Sequence, residues 1–76
     1  MKTRNRQYVN ISNGLTFDKA LLLLKRGKYV TRKIWTKSNY VMLDGTLLFT
    51  NGVKTIIWQP SPYDITASDW AIVKGD

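Results

Sequence analysis

The sequence predicts an α+β domain: a small antiparallel β-sheet (a meander) with one N-terminal α-helix packed on it. Three observations carry that reading. Phe17, Ala20, Leu21 and Leu24 recur at i, i+3, i+4 and i+7, the apolar stripe of an amphipathic helix. After Gly27 the pattern changes to short extended runs punctuated by Asp44-Gly45 and Asn51-Gly52, dipeptides that mark hairpins. Finally, 76 residues with 43% hydrophobic content are enough for one core and no more.

The elements follow in chain order. Met1 to Gly14 is a basic N-terminal extension, an edge strand around Tyr8, Val9 and Ile11 or a disordered tail; residues 15–76 form the single domain. Thr16 is the expected N-cap, its hydroxyl accepting from the free N–H groups of the first turn. Asp18 suits the positive end of the helix dipole. Lys25 and Arg26 suit the other end, and Gly27 is the expected left-handed residue after it, so the helix runs from about Phe17 to Arg26. Tyr29 to Thr31 reads as a short strand leading into Arg32 to Trp35. Tyr40 to Leu43 and Thr46 to Phe49 flank a two-residue type I′ turn at Asp44-Gly45, and Val53 to Trp58 returns after Asn51-Gly52. Pro60 and Pro62 break the ladder. Ser61 to Ser68 is a turn or one short helical turn, and Trp70 to Val73 is the last strand.

Composition narrows the function. The chain has no His, Cys or Glu, so the usual nucleophile–base pairs, disulfides and zinc sites are missing. Its acids are Asp18, Asp44, Asp64, Asp69 and Asp76, and the first two and the last are placed by a helix start, a turn and the terminus. Asp64 and Asp69, five residues apart around a turn, read as caps of backbone N–H groups and fit no metal-loop spacing. The expectation is therefore no catalytic residue, no metal and no cofactor. Met1 to Gln7 is charged and no apolar h-region follows, so no signal peptide is expected. The run Ala20 to Leu24 is too short to span a bilayer. A cytosolic protein without membrane contact follows. A domain this small without staples gains from burial between subunits, which predicts a homo-oligomer, a dimer or a tetramer.

Net charge is +7, with ten Lys/Arg in residues 1–37 against Asp18 alone. That asymmetry points to an anionic partner, a phosphorylated small molecule or a nucleic acid, with a solvated surface as the alternative. Two tryptophan-centred stretches stand out: Arg32-Lys33-Ile34-Trp35, and Trp58 through Ser61 and Asp64 to Asp69-Trp70. Trp35 and Trp58 are candidates to stack on a base, worth roughly 1–3 kcal/mol per aromatic partner. Both are equally at home in a core, and Trp70 more so. Arg32 and Lys33, alternating on a strand, point to opposite faces, so that one of them faces a ligand or both are solvated.

These residues also resemble a known family. Thr16-Phe17-Asp18-Lys19-Ala20 to Leu24, Gly27-Lys28, Val30 and Arg32-Lys33-Ile34-Trp35 resemble the opening of the small phage proteins of the Thoeris anti-defence type two family. Trp58-x-Pro-Ser-x-x-Asp64-x-x-Ala67-x-Asp69-Trp70-x-x-Val73 is similar to that family's closing motif. The likeness spans about Leu15 to Val73. Pro62 stands where the family often has Gln, and the hairpin region is shorter than in longer members. The resemblance implies a non-enzymatic sponge, acting in the cytoplasm of the infected bacterial host. Such proteins hold cyclic ADP-ribose-type signals, in some members cyclic dinucleotides, in pockets between subunits of a homo-oligomer. On such a ligand adenine would take Trp35 and Trp58, a pyrophosphate Arg32 or Lys33, and ribose hydroxyls Ser61 or a carboxylate such as Asp64. The reading from a different class is a small basic phage nucleic-acid-binding protein.

Overall fold

The computed structural model of the chain describes residues 14–36 and 38–73. The predicted N-terminal extension, Gly14 excepted, lies outside them. The amphipathic stripe forms α1, Phe17–Lys25, with Ala20 and Leu24 fully buried and Phe17 and Leu21 half-buried against the sheet. Thr16 occupies the N-cap position but makes no capping bond. Its hydroxyl donates instead to the Asp18 carboxylate, which holds that carboxyl below its usual range. The C-terminal end behaves as the sequence predicts. Gly27 has φ +85°, its N–H donates to the Leu24 carbonyl, and the Lys28 N–H reaches back to Leu23. This Schellman arrangement satisfies the last helical carbonyls. Gly27→Ala forces a side chain into the left-handed region and is expected to cost about 1 kcal/mol; thermal denaturation checks it, and an unchanged midpoint contradicts it.

Five antiparallel strands follow: β1 Val30–Arg32, β2 Tyr40–Asp44, β3 Thr46–Thr50, β4 Thr55–Ile57 and, after the short helix α2 Pro62–Thr66, β5 Trp70–Ile72. The sheet order is β4-β3-β2-β1-β5. Strands β2 to β4 form the predicted meander, β1 extends it antiparallel to β2, and β5 crosses back to lie beside β1. Leu15, just before α1, makes two backbone bonds to Trp70, tying the helix entry to β5.

The Asp44-Gly45 hairpin is present, but its turn is not type I′. Asp44 pairs with Thr46, leaving Gly45 alone between the strands at φ +76°, and among the described residues no non-glycine has positive φ. A type I′ turn needs positive φ at both central positions, whereas Asp44 stays in the ladder. At the second hairpin Asn51 Oδ1 accepts from the N–H groups of Val53 and Lys54, closing a four-residue loop.

Side chains alternate across the strands, so the register sorts them by face. Val30, Val41, Phe49, Ile56 and Trp70 share the front face with α1. Ala20, Leu24, Val30, Val41 and Trp70 form its buried core. The helix lies over β5, β1 and β2, and the β3–β4 half of the same face is filled by other means. No helix among the described residues is long and apolar enough to cross a membrane.

Candidate functional site

The turn after β1 supplies the cover for that second half. The Trp35 N–H donates to the Arg32 carbonyl, folding Trp35 back over the sheet. Its ring meets Phe49 at 5.4 Å, Trp70 at 5.4 Å and Trp58 at 6.4 Å between centroids, each edge to face. Trp58 continues the front face beyond β4, its N–H bonded to the Leu47 carbonyl, and touches Trp70 at 5.9 Å and Phe17 at 6.3 Å. Edge-to-face contacts of this kind add about 0.5–1.5 kcal/mol per pair beyond burial. Trp70 is completely buried, while Trp35 and Trp58 stay half-buried.

The structure thus brings Trp35 and Trp58 together, but at 84° and in mutual contact. No slot for a base lies between them in one subunit. A base can stack only on the outer, accessible part of either ring, and closing it in requires groups from elsewhere.

The predicted polar residues sit otherwise than strand alternation suggests. β1 ends at Arg32, and Lys33 lies in the following turn, solvent-exposed, with its N–H bonded to the Asp69 carbonyl. Arg32 instead faces the interior. Its Nε donates to Asp69 Oδ1 at 2.8 Å and one Nη to Asp64 Oδ1 at 3.0 Å, with only 12% of its side chain exposed. Its guanidinium also lies 6.0 Å from the centroid of the Trp70 ring. Asp69 foremost, then Asp64, hold the arginine pKa above its ordinary value despite burial. The phosphate fork is already occupied by the chain's own carboxylates.

Ser61 and Asp64 are likewise engaged. Ser61 is the N-cap of α2 and accepts from the Asp64 N–H, while Asp64 Oδ2 accepts from the Ser61 N–H and hydroxyl. This is a complete capping box, with Pro62 in the first helical position, where a missing N–H costs nothing. The Trp70 indole N–H then donates to the Asp64 carbonyl at 3.0 Å. The closing motif is therefore a clasp: it locks α2 to β1 and β5 and seats Trp70 beneath the other aromatics. Among the described residues Asp69 Oδ2 is buried without a partner, and the clasp holds one cation against two carboxylates.

A separate groove of about 280 Å³ runs along the outer side of α1, lined by Leu15, Lys19, Leu22, Leu23 and Arg26, and contains none of the predicted site residues. Among the described residues no group of three potential ligands could hold a metal ion.

No curated protein matches the chain. Residues 15–73, from the Leu15 bridge on β5 through the aromatic cluster and clasp to Val73, match the model of the Thoeris anti-defense 2-like (Tad2-like) domain. By that match the chain belongs to the Thoeris anti-defense 2-like domain family.

Proposed function

We propose that this protein binds and sequesters cyclic ADP-ribose-type nucleotide signals of bacterial immunity in the infected cell, without chemical turnover. The observation that carries the reading is the pair of half-buried tryptophans, Trp35 and Trp58, held side by side at the open part of the front face in a member of an anti-defence family. The adenine stacks on their accessible surface, and the exposed Lys33, two residues before Trp35, is a cation for the phosphates. Arg32, Ser61 and Asp64 support the site by holding its aromatic floor rather than by touching the ligand. Because Trp35 and Trp58 do not form a slot between them, a homo-oligomer, a dimer or a tetramer, is the natural way to enclose a ligand. A nanomolar Kd corresponds to about −12 kcal/mol, more than one stacked base supplies.

Calorimetry with a panel of cyclic ADP-ribose isomers and cyclic dinucleotides, at about 50 and about 200 mM salt, tests the proposal. The expected result is tight binding of at least one cyclic ADP-ribose-type ligand with weak salt dependence. The exposed cations Lys19, Lys25, Arg26, Lys28 and Lys33 favour the second reading, nucleic-acid binding. That reading predicts instead an affinity for oligonucleotides that falls by orders of magnitude over the same range, through counterion release.

A further inference from the structure

β4 is a short edge strand whose own three residues, Thr55, Ile56 and Ile57, include no proline and no charge. The sheet order leaves its outer side without a strand partner among the described residues. Its inward hydrogen-bonding positions are the even-numbered ones: the Trp58 N–H donates to Leu47 at 2.9 Å, and the Lys54 carbonyl accepts from the Asn51 N–H at 3.2 Å. By the alternation of an antiparallel ladder, Thr55 and Ile57 direct their N–H and C=O groups outwards. Edge strands are normally guarded by prolines, charges or bulges. Here Ile56 is 55% and Ile57 67% exposed, so apolar surface lies on both faces of an open edge.

We infer that β4 pairs antiparallel with β4 of a second copy about a two-fold axis through Ile56, and that this pairing brings the partner subunit's Lys54 beside Trp58. The edge is self-complementary in that register: Thr55 meets the partner's Ile57 and Ile57 meets the partner's Thr55, satisfying every outward group of the strand. A one-residue slip would exchange the two faces, setting front-face side chains against back-face ones. A two-residue slip would leave Thr55 or Ile57 opposite a residue outside the strand. Trp58 then stands opposite the partner's Lys54 on the front face, with Cβ atoms about 4.5–5.5 Å apart. The strand pairing stands on the edge geometry alone. The role of Lys54 rests on the proposed nucleotide site, where it supplies a phosphate cation that Arg32, held by Asp64 and Asp69, does not.

Three residues a side bury less than the roughly 1,600 Å² of a standard interface, so disulfide trapping, which also captures transient pairs, is the direct test. The chain has no cysteine, and Ile56→Cys places one thiol on the axis, facing its copy at a distance a disulfide can close. The expected result is a covalent dimer on mild oxidation, formed at least about fivefold faster than with Val53→Cys, which is 95% exposed but off the axis. Adding Thr55→Pro removes an outward N–H without touching the bonds to β3 and should abolish the trapping. Equal trapping of the Ile56→Cys and Val53→Cys variants would overturn the pairing.

Calorimetry with cyclic ADP-ribose tests the second half. Lys54→Ala should weaken binding about tenfold while leaving trapping in the Ile56→Cys background unchanged. Unchanged affinity would overturn the contribution of Lys54. Failure of the parent protein to bind would overturn both the nucleotide reading and the role of Lys54 in it, while trapping still decides the pairing by itself.

Discussion

Replacing Trp70 by alanine is expected to lower stability by about 3–5 kcal/mol, a large share of what so small a domain has. Trp70 is fully buried, packs against Phe17, Trp35 and Trp58, and bonds through its indole N–H to the Asp64 carbonyl. Its loss leaves a cavity under three aromatic rings and removes one of the two donors to the Asp64 carbonyl, which keeps only the longer bond from the Ala67 N–H. Trp70→Phe keeps much of the volume but not the N–H, so it should cost less; the hydrogen bond is lost in both, and the difference between the two measures the packing of the ring that phenylalanine retains. Urea denaturation of both variants is the check. A Trp70→Ala midpoint equal to the parent's would show that the aromatic cluster is not the structural centre of the domain.

Trp35→Ala is expected to act in the opposite proportion. Trp35 is half-buried and reaches the cluster from a turn, so its removal should cost less stability than that of Trp70. If a base stacks on it, affinity for the cyclic ADP-ribose-type ligand should fall roughly tenfold to a hundredfold, the equivalent of about 1–3 kcal/mol. Calorimetry on the folded variant separates the two effects. Full affinity in Trp35→Ala would exclude that ring from the site.

The contrast between these tryptophans shows what could be read from the chain. The helix was legible because its signals are local: a stripe at helical spacing and a glycine that accepts positive φ. The hairpins were legible for the same reason, although the turn type at Asp44-Gly45 was not, because pairing of Asp44 with Thr46 overrides the dipeptide's own preference. Burial of Trp70 followed from its place in a short apolar strand. The role of Arg32 did not follow. Its carboxylate partners lie 32 and 37 residues away, and nothing local shows that β5 crosses back to lie beside β1. That crossing turns a pair of apparent phosphate and ribose ligands into a clasp. The one trace of it in the sequence is the capping-box spacing of Ser61 and Asp64, which already commits both side chains to the start of a helix.

The central claim is retention of a nucleotide signal without turnover, and a single measurement addresses it most directly. The protein is saturated with a cyclic ADP-ribose-type ligand identified by calorimetry, freed of excess by gel filtration, held for hours and then heat-denatured, and the released nucleotide is analysed by liquid chromatography and mass spectrometry. The account predicts that ligand co-elutes with the protein and is recovered with its mass and retention time unchanged. Recovery of a hydrolysed or ring-opened product would contradict it, as would a protein that carries no nucleotide through the column.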